Sequence, residues 1–115
     1  SGPYVQYAHA RGRSILAKLD GATEIAPTEL TEDEHRLAVK LAWYPAATAK
    51  AITELAPHHV ATYLYELTQQ FNRFYEHNRI VGDERQAVRA QLVRAYVQVL
   101  ANGLNLLNIP APERV

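Results

Sequence analysis

The sequence predicts an all-α fold, a single bundle of about five helices, and three observations carry that reading. Apolar residues recur at spacings of three and four along most of the chain, the period of a helix with one buried face. Helix-start and helix-stop residues cut this pattern into segments joined by short connections, which favours antiparallel neighbours. No alternating strand pattern of useful length occurs, and no repeat at solenoid spacing. Composition agrees: 115 residues, 48% hydrophobic and 21% charged, with six prolines and five glycines, suit one globular domain and exclude a disordered or collagen-like chain. A chain of this size buries roughly two thirds of its unfolded surface, enough for a core without staples. No apolar run approaches the ~18 residues of a membrane span, and no signal-peptide pattern opens the chain.

The elements follow in order. Residues 4–19 place Val5, Ala8, Gly12, Ile15 and Leu19 on one stripe, and Tyr4, Tyr7, Arg11, Ser14 and Lys18 on another. Gly12 costs helix propensity, so it marks a close approach by a second helix. Residues 20–29 mix Gly, Pro, Thr and acids without period and read as a loop. Thr31 with Glu34 forms a capping-box signature with Leu30 ahead of it. A helix then runs through Leu37 and Leu41 to about Trp43, because Pro45 disfavours helical geometry at Tyr44. Pro45 and Pro57 each fit the first position of a following helix, which predicts a short helix over 46–55 and a long one from Pro57 to about Asn78. The long helix keeps Val60, Leu64, Leu67, Phe71 and Phe74 on one face. Gly82 is a stop, and Asp83 with Gln86 repeats the capping pattern. The last helix spans 84 to about 107 and is expected to bury Val88, Leu92, Ala95, Val99 and Leu106, with Gly103 marking another close contact. Two prolines keep the tail 108–115 from being helical throughout.

Catalytic groups are scarce. The chain has no cysteine, which removes thiolate metal sites and cysteine nucleophiles. Ser14 lies mid-helix without a strand-to-helix elbow to expose it. His58 and His59 are adjacent and so point about 100° apart, and no His-Glu-x-x-His pair exists. Glu32, Asp33 and Glu34 fall in a helix's first turn, where the macrodipole accounts for them. There is no glycine-rich phosphate loop. The chain alone reads as a non-enzyme without cofactor or metal.

Charge is more informative once divided. The 12 cations balance the 12 acids, which argues against a nucleic-acid binder if taken as an average. Residues 1–19, however, hold Arg11, Arg13 and Lys18 and no acid, while 20–34 hold Asp20, Glu24, Glu29, Glu32, Asp33 and Glu34 and no cation. A locally positive face survives if the acidic stretch lies away from the first and last helices. Every cation after Lys50 is arginine, and seven tyrosines accompany them. Arginine grips phosphate bidentately and stacks on bases, and an exposed tyrosine supplies a platform for an unstacked RNA base. Solvated helix faces with half-buried tyrosines are the alternative reading of the same residues.

Three strings then point to a family. Tyr4-Val5-Gln6-Tyr7-Ala8-His9-Ala10-Arg11 resembles the opening of the C-terminal, DALR-type anticodon-binding domain of arginyl-tRNA synthetases, which are class I aminoacyl-tRNA synthetases. Ala61-Thr62-Tyr63-Leu64-Tyr65-Glu66-Leu67, continuing to Phe71-Asn72-Arg73-Phe74-Tyr75, resembles that domain's long helix. Asn102-Gly103-Leu104-Asn105-Leu106-Leu107-Asn108-Ile109, closing on Pro112-Glu113-Arg114, is similar to the family's C-terminus.

The resemblance implies a helical domain that grips the anticodon stem-loop of tRNA for arginine. It also implies a catalytic domain elsewhere in the same chain that uses ATP with Mg to ligate arginine to that tRNA in the cytoplasm. The motifs of such a domain are absent here, so these residues alone are expected to be inactive. Ser1-Gly2 reads as a tag remnant and 3–115 as the domain, with the lack of methionine marking a piece cut from a longer enzyme.

By the resemblance, Tyr7 and Tyr75 lie near anticodon-loop bases, Arg11 and Arg13 contact phosphate or base, and Val115 replaces a terminal methionine that reaches the loop. Tyr4, His9, Lys18, Arg79 and Arg114 form a weaker set. Tyr75 also borders the core face of its helix, and His9 could equally donate a hydrogen bond within the bundle. Arg85, Arg89 and Arg94 read as solvated surface. The alternatives to RNA recognition are a structural or protein-interaction bundle, or the anticodon domain of a related synthetase such as the cysteinyl enzyme. The opening Tyr-x-Gln-Tyr-Ala-His string argues against the last.

Overall fold

The computed structural model describes residues 2–19 and 29–114, and Val115 and the acidic stretch 20–28 fall outside it. Five helices occupy the described residues: α1 (Gly2–Ala17), α2 (Glu32–Ala42), α3 (Tyr44–Thr53), α4 (His58–His77) and α5 (Gln86–Leu106). No strand occurs among the described residues, as the periodicity predicts.

Local chemistry sets the boundaries. The Thr31 hydroxyl accepts the Glu34 N–H at 3.2 Å and the Glu34 carboxylate accepts the Thr31 N–H at 2.9 Å, so the predicted capping box starts α2. Helix α3 begins two residues earlier than expected, with Pro45 inside its first turn, and Pro57 is the N-cap of α4 rather than its first helical residue. Helix α5 begins two residues late. The Gln86 side chain accepts the Gly82 N–H at 2.7 Å and the Asp83 carboxylate accepts the Arg85 N–H at 2.8 Å, so the anticipated reciprocal pair between Asp83 and Gln86 is replaced by two staggered bonds.

Helices α3 and α5 both end in Schellman motifs. At α5 the Ile109 N–H reaches the Leu104 carbonyl at 2.8 Å and the Asn108 N–H the Asn105 carbonyl at 3.0 Å, with Asn108 at φ 63°. At α3 the Ala56 N–H reaches the Ala51 carbonyl at 2.9 Å and the Leu55 N–H the Ile52 carbonyl at 3.2 Å. The left-handed residue there is Leu55 at φ 51°, a side chain that this conformation disfavours.

Helix α4 is the hub and packs against each of the other four, whereas α1 lies mainly along α5. Val60, Leu64, Leu67, Phe71 and Phe74 are buried as predicted, and Phe71 stacks on Tyr96 with centroids 4.0 Å apart. The inward face of α5 differs from the predicted one. Arg89, Val93, Tyr96, Val97, Leu100 and Leu104 point inward, together with Leu92, while Val88 and Val99 are half-buried and Ala95 and Leu106 are exposed. The helix is apolar on most sides, and its true inner face includes an arginine and a tyrosine that the apolar count passes over.

Both helical glycines mark close approaches, as expected. A Cβ on Gly12 would lie 2.5 Å from Val97 Cγ2, and one on Gly103 2.6 Å from both Leu64 Cδ atoms. The tail beyond α5 is not helical and returns along α1.

Candidate nucleic-acid interface

The heptad offset from Tyr4 to Arg11 puts both side chains on one edge of α1, and the offsets among Tyr65, Asn72 and Tyr75 do the same on α4. The bundle sets these edges against each other. The Tyr4 and Tyr65 rings lie 5.1 Å apart, Asn72 Nδ2 donates to the Tyr4 hydroxyl at 3.4 Å, and the Arg11 guanidinium sits 5.7 Å over the Tyr75 ring. Tyr75 in turn stacks on Phe71 at 6.0 Å, so its inner face is packed and its outer face carries the arginine.

Tyr7, on the same α1 stripe, is 58% exposed, and Arg11, Ser14 and Lys18 are exposed as well. The result is an aromatic ridge flanked by cations, the geometry that base stacking and phosphate contact require. It brings together Tyr4, Tyr7, Arg11 and Tyr75. It also includes Tyr65 and Asn72, which sequence reasoning did not single out although their spacing to Tyr75 was the available signal.

The other candidates lie elsewhere. His9 is buried and its Nδ1–H donates to the Pro112 carbonyl at 2.6 Å, so of its two anticipated roles the intramolecular bond is the one seen. Arg13 is paired with Glu113 at 3.3 Å. Arg79 donates from Nε to the Val81 carbonyl at 3.0 Å, and its Nη2 would lie 2.9 Å from a Cβ at Gly82, whose φ of +80° disfavours a side chain in any case. It is thereby held on the 81–82 turn. Arg114 is exposed.

Electrostatics corrects a second expectation. Glu34 is fully buried and accepts two bonds from Arg85, at 2.6 and 2.7 Å, and one from Arg89 Nε at 2.8 Å. Arg89 Nη1 donates further to the Arg79 carbonyl at 2.7 Å. Arg85 and Arg89 are therefore structural and not solvated surface, and Glu34 is more than a first-turn carboxylate. Burial alone would raise its pKa. The bonds from Arg85, the Thr31 N–H and Arg89 outweigh burial and bring it down to about 2. The acidic start of α2 is thus spent on the start of α5, not held away from it, while the tyrosine ridge is built from α1 and α4. Arg36 pairs with both Glu32 and Asp33, at 2.6 and 3.1 Å, which neutralises more of the acidic stretch locally.

Among the described residues no group of three or more His, Asp or Glu side chains could hold a metal, and no helix is long and apolar enough to cross a membrane. His58 and His59 stand side by side with rings 4.3 Å apart, and His59 pairs with Glu54 at 2.9 Å.

Fold and face together define an all-α bundle that displays an aromatic, cationic surface assembled from two helices. The chain belongs to the DALR anticodon-binding domain family, whose family model matches residues 5–115. It is 44% identical over 113 residues to the arginine–tRNA ligase of Methanoregula boonei, covering 96% of this chain and 20% of that protein. It is 40% identical over 123 residues to the arginine–tRNA ligase of Pyrococcus abyssi, covering 100% of this chain and 20% of that protein. The fold is similar to Thermus thermophilus arginyl-tRNA synthetase, with a TM-score of 0.89 and 36% identity over 100% of this chain and 21% of that one. The chain thus spans about a fifth of the length of the curated relatives it matches.

Proposed function

We propose that this chain recognises the anticodon stem-loop of tRNA for arginine, as the C-terminal anticodon-binding domain of an arginine–tRNA ligase. The observation that carries the reading is the ridge of Tyr4, Tyr7, Tyr65 and Tyr75 with Arg11 seated on Tyr75. Loop bases are already splayed and can stack on exposed tyrosine, while arginine and Lys18 meet the backbone phosphates. Val115 keeps its expected contact with the loop as part of this proposal. The ATP- and Mg-dependent ligation belongs to a catalytic domain outside these 115 residues, in the cytoplasm where tRNA is charged. An apolar groove of about 310 Å³, where Ile52, Leu55 and Leu106 are exposed beside Val60 and Leu107, offers that domain a docking surface formed by other residues.

The test is direct binding of the chain to an arginine anticodon stem-loop. Affinity should fall as salt rises, because phosphate contacts release counterions. Tyr7→Ala should weaken binding by roughly 5- to 100-fold, the range of one lost stacking platform, with an unchanged far-UV circular dichroism spectrum. Equal binding of an unrelated stem-loop, together with no effect of Tyr7→Ala, would sink the reading.

A further inference from the structure

A third edge of α1 faces neither the core nor the tyrosine ridge. Gln6, His9 and Arg13 follow one another along it at helical spacing, and each meets the returning tail. Gln6 Nε2 donates to the Pro110 carbonyl at 3.1 Å, His9 Nδ1 to the Pro112 carbonyl at 2.6 Å, and Arg13 pairs with Glu113 at 3.3 Å. The three contacts keep the same order along both segments, at 110, 112 and 113 of the tail.

Proline suits such a strap. It has no N–H to satisfy and a fixed φ, so Pro110 and Pro112 favour an extended strap in which each offers only its carbonyl. A carbonyl only accepts, which requires the proton of neutral His9 to sit on Nδ1. His9 is the anchor, being buried, whereas Arg13 and Glu113 are 46% and 75% exposed at their side chains and hold weakly.

We propose that Gln6, His9 and Arg13 are positioning residues that fasten segment 110–113 to α1 and so hold the exposed Arg114 at that helix as a fixed contact for an RNA backbone phosphate. The ligand in this inference rests on the function proposed above; the strap does not. Arg13, expected from the sequence to touch RNA, acts here through Glu113. A free tail would lose conformational entropy on binding, and a strapped one has lost it already.

Two measurements on the 115-residue chain decide the matter. In ¹⁵N relaxation of the RNA-free protein, His9→Ala should release the amides of Ala111, Glu113 and Arg114 to fast motion, and His9→Asn, whose Nδ2 takes the place of the ring Nδ1, should hold them again. An unchanged tail in His9→Ala overturns the strap. In anticodon stem-loop binding, His9→Ala and Arg114→Ala should each weaken affinity roughly fivefold, about one hydrogen bond's worth. The double variant should lose no more than either alone, because one residue acts through the other. A general loss of packing would not give that non-additivity. Full additivity, or an inert Arg114→Ala, overturns the positioning role. Failure of the wild-type chain to bind any stem-loop removes the RNA ligand and the function reading with it, while the relaxation result still decides the strap.

Discussion

Glu34 shows how much a single residue can carry in this fold. Its carboxylate caps α2, receives Arg85 and Arg89, and so joins the start of α2 to the start of α5. Removing its charge takes from Arg85 its ion-pair partner and leaves Arg89 with only the longer contact to Asp83, 3.7 Å away, in a poorly solvated site. Glu34→Gln should cost about 3–5 kcal/mol, read from urea unfolding. The pH dependence has a definite sign. The folded pKa is depressed to about 2 from an ordinary 4.5, so this stabilisation is fully present above the unfolded value and is lost as pH falls from 4.5 through 2. Unfolding midpoints of the wild type should drop across that window, on the order of 3 kcal/mol in total, and those of Glu34→Gln should drop less. The sequence showed the cap, because Thr31 and Glu34 are local. It did not show the arginines, because they are about fifty positions away and look like surface residues until a carboxylate is buried among them.

At the scale of the element, the turns determine what a sequence can specify. All five described helices begin within two residues of their predicted starts, and in α2 to α5 this is because Thr31, Pro45, Pro57 and the Gly82-Asp83 pair act through neighbouring backbone groups. The inward face of α5 differs from the predicted one because apolar side chains cover most of the helix. The distinguishing signal is the polar stripe of Gln91, Arg94, Gln98, Asn102 and Asn105, and the arc opposite it, which includes Arg89 and Tyr96, is the one that packs. The end of α3 is the least favourable local choice. Leu55 is 89% exposed and adopts φ 51°, so it carries the left-handed penalty and gains little burial in return. Leu55→Gly should stabilise the chain by about 1 kcal/mol, seen as a higher thermal midpoint. On the tyrosine ridge, Tyr7, Arg11 and Tyr75 were legible as types and spacing within two strings. Their meeting with Tyr65 and Asn72 depends on how α1 lies against α4, which no local pattern encodes.

For the whole molecule, net charge is a poor guide and its distribution a better one. Zero net charge coexists with a cationic ridge, and the described acids at the start of α2 are matched instead to Arg36, Arg85 and Arg89. Connectivity gives a further expectation. Helix α1 rests mainly on α5 and is crossed by the tail, so deleting residues 108–115 should lower hydrogen-exchange protection in α1 first and leave α4 as the best protected helix. The tail bonds also span 100 to 104 residues of sequence, nearly the full length of the chain. A ribosome adding about 10 residues per second would deliver these partners roughly ten seconds after α1 itself has been made. Among the five described helices α1 is thus made before the others in this domain yet gains its last contacts only when the tail has followed α5.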